Sequence, residues 1–406
     1  MPTLATHTTC TGCMGCLNAC PKGAIEKKVY PDGHFGIRVL KDACVECGMC
    51  ERVCPIVNGI SYGCLKRPKH TFAAWAEDEI VRRRGATAGI FGALALKMIR
   101  DGGCVAGVVM EGLDCRYILT DRPEEIARMQ GSKYTASQPE FIYKEITVEL
   151  RKGRPVLFCG LPCHVAALLS YVPKQLQERL LMVDIICGGV SSPLLIKRYV
   201  EEKRDVASIE SFRNKEEGWR PTGYRYNLKY ITSEGKIVAT ADEGRNLVTD
   251  GFACELTDRL SCYNCRMAFP SRKSDMTIGD LWGDRDFPGQ HRDGLSSVLI
   301  HSEKGMEFLK DAGIHIEPID AEKALIPNSR IFNGRSIKRY FPERLWLARG
   351  LRNLKYPALM KIYAGDLRSA GVFWWPFAAY RLLSFRLAEF VRKWQNRRRL
   401  HEMNNE

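Results

Sequence analysis

The chain is decided by Cys10-Thr-Gly-Cys13-Met-Gly-Cys16-Leu-Asn-Ala-Cys20-Pro21 and its second copy, Cys44-Val-Glu-Cys47-Gly-Met-Cys50-Glu-Arg-Val-Cys54-Pro55. Both spell C-x2-C-x2-C-x3-C-P, the ligand run of paired 4Fe–4S cubanes. Three thiolates two residues apart wrap one cluster face. The fourth, set before a proline that turns the chain away, serves the other cluster. By that rule Cys10, Cys13, Cys16 and Cys54 hold one cluster, and Cys44, Cys47, Cys50 and Cys20 hold the second. Structural zinc would need only two C-x2-C knuckles, without a third cysteine two residues on.

Working outward, Gly23 to Leu40 alternates on either side of Pro31-Asp32-Gly33 and reads as a hairpin joining the two halves. Residues 1–57 are therefore expected to form a bacterial-type two-cluster 4Fe–4S ferredoxin domain. Residues 58–70 are irregular and basic, a linker in which Cys64 is a bystander thiol. From residue 71 apolar strands alternate with helical stretches. They include Thr71–Ala76, Gly103–Met110, Pro155–Cys159 and Leu180–Cys187 as strands, with helices after Gly89, near 138–152 and to about Ser170. This alternation predicts an α/β body over 71–335, with functional loops at the carboxyl ends of the strands. Residues 205–255 look richer in strand.

Nine further cysteines lie beyond the ferredoxin runs. Cys262 and Cys265 form a lone C-x2-C, which redox pairs and metal knuckles share. Cys163 and Cys187, each at a strand end, are the best donors to complete a third cluster with them, and Cys254 is the reserve. Cys104, Cys115 and Cys159 read as core.

The 406 residues carry a formal net charge of +14. Residues 1–70 hold nine Lys/Arg against five Asp/Glu, residues 338–406 hold fifteen against five, and the middle is neutral. The basic residues sit in a tail and not in a reading motif, so nucleic acid is not expected as a partner. Residues 336–406 form a basic, partly amphipathic helical tail. Its aromatic stripe over 371–399 either lies on an anionic membrane surface or packs on the protein itself. The N-terminus lacks a secretory leader and no apolar run is long enough to span a bilayer. With so many cysteines, a reducing, cytoplasmic setting is expected, peripheral to the membrane if the tail binds it.

Together these residues resemble the family of coenzyme F420 hydrogenase/dehydrogenase beta subunits, which includes the plant 7-hydroxymethyl chlorophyll a reductase. The resemblance spans roughly residues 10–300. It is carried by the ferredoxin runs, the glycine-rich helix start at 85–92, Gly131-Ser132-Lys133-Tyr134, Gly160-Leu-Pro-Cys163, Cys187-Gly-Gly, Cys262-x2-Cys265 and Asp275-Met-Thr-Ile-Gly-Asp280-Leu-Trp-Gly283. Where the family usually has Ser-Gly-Gly, this chain has Gly85-Ala86-Thr87-Ala88-Gly89; where it has Gly-Thr-Pro-Cys-Gln, this chain has Gly160-Leu161-Pro162-Cys163-His164. The resemblance implies FAD and a 4Fe–4S cluster in the body, with Gly85, Ala86, Thr87, Ser132, Lys133 and Tyr134 contacting the flavin. It implies an oxidoreductase passing electrons between clusters and a flavin that exchanges hydride with a deazaflavin-like or other small redox partner. The alternatives are a reductase of a specific metabolite and an electron-transfer subunit of a larger complex. An acidic electron-carrier protein or a redox coenzyme is the expected partner. His164 and Asp280 are the candidate proton-transfer groups, each with a structural alternative.

Overall fold

The computed structural model describes residues 1–364 apart from 60, 214, 216–217, 220–227, 241–245, 283–286, 288–289, 291 and 333–341, with single positions 390, 394, 398, 402 and 403 beyond them. The helix expected over 371–399 lies, but for such single positions, outside the described residues.

The N-terminal domain is built around the expected hairpin. Strands Ile25–Val29 and Phe35–Val39 pair antiparallel, with Val29 opposite Phe35. Gly33 closes the turn at φ 81°, its N–H donating to the Tyr30 carbonyl at 2.9 Å. Each cluster loop runs into a short helix, Gly15–Ala19 and Met49–Val53, entered through a left-handed residue, Met14 and Gly48. That backbone costs Met14 about 1–2 kcal/mol, a strain the loop tolerates and a glycine avoids.

The body is an eight-stranded mixed sheet. In spatial order its strands are Ile314–Pro318, His70–Ala76, Ser296–Ile300, Met276–Asp280, Leu180–Ile185, Val156–Gly160, Cys104–Glu111 and Asp114–Thr120. The four from Met276–Asp280 to Cys104–Glu111 run parallel; the outer ones join antiparallel. The parallel strands are largely apolar because both faces are covered, with Asp184 and Thr277 as buried polar exceptions. Helix Ile90–Arg100 packs Leu94, Ala95 and Met98 on one face. Helices Ile142–Arg151 and Pro162–Tyr171 pack Ile146, Leu150, Val165 and Leu168 on the other.

Strands Ser208–Ser211, Lys229–Ile231 and Ile237–Ala239 form a small antiparallel sheet within the stretch expected to be strand-rich. Helices Pro342–Asn353 and Tyr356–Ala364 pack Leu347, Leu351 and Leu359 onto Leu195, Tyr199 and Leu247. Residues 342–364 thus belong to the folded body and not to the tail. Charge counting hid their apolar stripe. The expected linker is also built in: Tyr62 is buried, and Gly63–Cys64 pairs with Ser271–Arg272.

The two domains are docked by polar bonds as well as apolar packing. The buried Arg259 donates to the Phe35 carbonyl at 2.7 Å and Ser261 to the Cys10 carbonyl at 3.0 Å. Asn18 donates to the Glu140 carbonyl and Lys27 to Gln138, both at 2.5 Å.

Candidate functional site

The structure gathers the ferredoxin cysteines in the two crossed sets. Cys10, Cys13, Cys16 and Cys54 lie within electrostatic reach of one another. Burial pushes the Cys13 thiol up to about 12, and neighbouring thiols add to the rise. Cys20, Cys44, Cys47 and Cys50 line one small cavity with Ile25 and Val39 of the hairpin. The first set is mostly buried, whereas Cys47 of the second is exposed.

Cys163, Cys187, Cys262 and Cys265 form a third gathering. Cys163 begins a helix after the strand Val156–Gly160, and Cys187 follows the strand Leu180–Ile185. Cys262 and Cys265 come from a single turn of 3-10 helix, Leu260–Asn264, and its end. Burial raises the pKa of all four thiols; Cys187, Cys265 and Cys262 raise Cys163 further, Cys187 and Cys265 raise Cys262, and Cys265 raises Cys187. Cys254 instead closes helix Leu247–Ala253 and packs against the Leu195–Tyr199 apolar cluster. Among the described residues no three His, Cys, Asp or Glu side chains converge closely enough to hold a single metal ion; these are looser gatherings of thiols.

Beside the third gathering opens a cavity of about 500 Å³ at the carboxyl ends of the parallel strands. That volume lies in the range of small-molecule and cofactor sites. All six residues singled out for the flavin, Gly85, Ala86, Thr87, Ser132, Lys133 and Tyr134, line it. So do Cys187, Gly188 and Gly189. Gly89 enters helix Ile90–Arg100 at φ 78°, and no side chain among the described residues caps that helix start. Gly89, Ile90, Phe91 and Gly92 of this helix start line the cavity, and uncapped N–H groups at a helix start can receive an anion. The Thr135 hydroxyl, in the same wall, is buried without a hydrogen-bond partner among the described residues. Arg213, Arg330 and Lys133 also line the wall, the first two paired there with Asp280 and Glu255. Backbone donors and an orphan hydroxyl fit a phosphate-bearing cofactor.

The wall is braced with the help of two groups that short motifs did not reveal, Arg213 and Lys215. Thr87 donates to Asp280, whose other oxygen takes Arg213 at 2.9 Å. Lys215 donates to the carbonyls of Arg82 and Gly85 at 3.1 Å each, to Thr87, and to Asp293 at 3.2 Å, knotting the glycine loop. Burial lowers its pKa to about 8. Lys133 lies in the wall, but its ammonium donates to the carbonyls of Arg128, Met129 and Gln130 at 2.7–3.1 Å, closing helix Pro123–Met129. Tyr134 stacks on Phe252 at 4.1 Å. Cys115 and Cys159, read as core, also line the cavity. His164 is buried, bonded to the Tyr117 hydroxyl at 2.9 Å, and held neutral by burial at a pKa of about 3. It does not line the cavity and takes the structural role.

A ferredoxin-type cysteine module docked on a mixed α/β body with a cofactor-sized cavity defines an iron–sulfur protein of the oxidoreductase class. Family comparison makes this specific. Residues 71–140 match "Coenzyme F420 hydrogenase/dehydrogenase, beta subunit N-term", residues 153–322 match the corresponding C terminus, and residues 9–58 match a 4Fe-4S dicluster domain. The chain belongs to the family of coenzyme F420 hydrogenase/dehydrogenase beta subunits and binds 4Fe–4S clusters. It is 27% identical over 326 residues to a subunit of the F(420)H(2) dehydrogenase of Methanosarcina mazei, covering 74% of this chain and 82% of that one. A chain of the F420-reducing [NiFe] hydrogenase complex from Methanosarcina barkeri is similar at 16% identity and a TM-score of 0.44, covering 66% of this chain and 88% of that one.

Proposed function

We propose that the chain is an iron–sulfur flavoprotein oxidoreductase that passes electrons between 4Fe–4S clusters and a flavin, with a deazaflavin-like coenzyme or another small redox partner exchanging hydride at the flavin. One observation carries the reading: Cys187 belongs both to the third thiol gathering and to the wall of the cavity. Cys163, Cys187, Cys262 and Cys265 would hold a body cluster directly beside the cofactor. A flavin supplies the exchange between two-electron hydride chemistry and the single electrons of clusters.

The chain's own residues bind and orient. The helix start after Gly89 receives phosphate oxygens. Thr87, Asp280, Arg213 and Lys215 fix the loop that presents those N–H groups. The ferredoxin cysteines extend the path outward, the buried set nearer the body and the set containing Cys47 at the surface. Because the relative is one subunit of a dehydrogenase, a second component that docks near Cys47 and exchanges electrons there is favoured.

Iron, acid-labile sulfide and released flavin per chain, measured on protein purified without oxygen, test this. About 12 iron with one flavin is expected from three cubanes. About eight iron and no flavin would overturn the reading. Turnover of a hydride donor by the purified chain alone, against turnover only with an added carrier, separates a self-sufficient enzyme from a subunit.

A further inference from the structure

Tyr143 sits where the two domains meet and is fully buried. Its hydroxyl lies 2.8 Å from the carbonyl oxygen of Cys13 and 3.2 Å from that of His164. One O–H therefore spans the loop of the inner ferredoxin set and the helix start that carries Cys163. The surroundings are continuous: Cys13 lies in the same apolar cluster as Tyr143 and Val165, and Cys163 and Cys265 pack against that cluster. Cys13 and Cys163 are within electrostatic reach of each other. The fit between the domains here is close, because a side chain at Gly15 would meet Ala167 Cβ at 3.2 Å.

We propose that Tyr143 is a positioning residue for electron transfer, fixing the spacing and orientation of the inner ferredoxin cluster (Cys10, Cys13, Cys16, Cys54) against the body cluster. The inference rests on the body-cluster reading above. One electron crosses this junction at a time; one cluster is oxidised, the other reduced, and no bond or proton moves. The hydroxyl is the part of the side chain that holds both loops, since a buried donor shared by two carbonyls is costly to lose and cannot be replaced by water in a packed core.

The test is Tyr143→Phe in the full chain, which keeps the ring and removes only the hydroxyl. Three readouts are taken: iron per chain, the electron paramagnetic resonance of the fully reduced protein, and the rate of electron redistribution after a rapid reducing pulse. The expected result is unchanged iron, loss of magnetic broadening between the inner and body clusters, and slower redistribution. Unchanged broadening and rate with full iron overturn the proposal while leaving the body cluster standing. Wild-type protein with only about eight iron overturns the body-cluster reading itself, and the inference with it. If Tyr143→Phe does not fold, a ring-fluorinated tyrosine at position 143, which keeps the shape and alters only the donor strength of the hydroxyl, takes its place. A changed redistribution rate then supports the proposal and an unchanged one overturns it.

Discussion

Gly89 and Gly102 bracket one helix, and alanine at each should do different things. Both have left-handed backbones, φ 78° and 82°. Alanine there costs about 1–2 kcal/mol in either case. At Gly102 a Cβ meets nothing within 4 Å. At Gly89 it would fall 2.7 Å from Arg82 Cα and from the Val81 carbonyl oxygen, and 2.9 Å from Arg82 N. Those are backbone atoms and cannot rotate aside, so helix Glu79–Arg84 or the glycine loop must move, adding about 1–3 kcal/mol. Gly102→Ala should thus lower stability by about 1–2 kcal/mol and leave binding of the proposed flavin alone. Gly89→Ala should cost about 2–5 kcal/mol and displace the helix start that lines the cavity. A loss of 1.4 kcal/mol in binding is tenfold in affinity, and a drop of at least about that size is expected. Denaturant midpoints and flavin titration by fluorescence check both. If Gly89→Ala behaves like Gly102→Ala in the two assays, the loop does not shape the cofactor site and the reasoning fails.

Replacing Cys262 and Cys265 together by Ser should lower iron by about four per chain, and unchanged iron would deprive the pair of its role. Lys215 has a folded pKa of about 8 against the ordinary 10.5, so between those values the unfolded chain binds the extra proton and stability rises with pH. Lys215→Met should remove about 3 kcal/mol of that rise, read as the difference between the two proteins' stability curves from pH 8 to 10.5. Arg272→Met should cost about 3–5 kcal/mol, because Arg272 pairs with Asp184 at 2.8 Å with both side chains buried and Asp184 would lose its cation. Truncation after Gly371 should release the protein from anionic vesicles if the tail is a surface helix, as a flotation assay would show.

Much of the site was legible because it is spelled locally. Cluster ligands recur at fixed spacing, and the glycine loop, Ser132–Tyr134 and Cys187 are short stretches whose residues enter the cavity side by side. The braces were not legible. Lys215 lies well over a hundred residues from the carbonyls of Arg82 and Gly85, and nothing at position 215 announces them. Arg330 pairs with Glu255 at 2.8 Å in a segment read only for its cysteines. The antiparallel outer strands escaped for a similar reason, since alternation along the chain does not reveal strand direction. Helices 342–364 were misplaced because their basic residues outweighed the stripe of Leu347, Leu351 and Leu359.

The manner of docking constrains how this protein can work. A mobile electron shuttle would meet its body through a wet, exposed surface that separates easily. Here the junction contains the buried guanidinium of Arg259, stacked on Phe35 at 5.1 Å and bonded to its carbonyl. It also contains the buried Tyr143 hydroxyl and the Asn18 amide, which bonds both Met14 and Glu140. Pulling the domains apart would exchange these bonds for water at a net loss of about 0.5–1.5 kcal/mol each, more for the charged one, on top of the apolar area uncovered. Tyr62 and the Gly63–Cys64 strand tie down the connecting segment as well. Movement of the ferredoxin domain as a unit is therefore too costly to accompany each electron. The inner set thus stays facing the body, and under the proposed function exchange with an outside carrier falls to the exposed loop around Cys47.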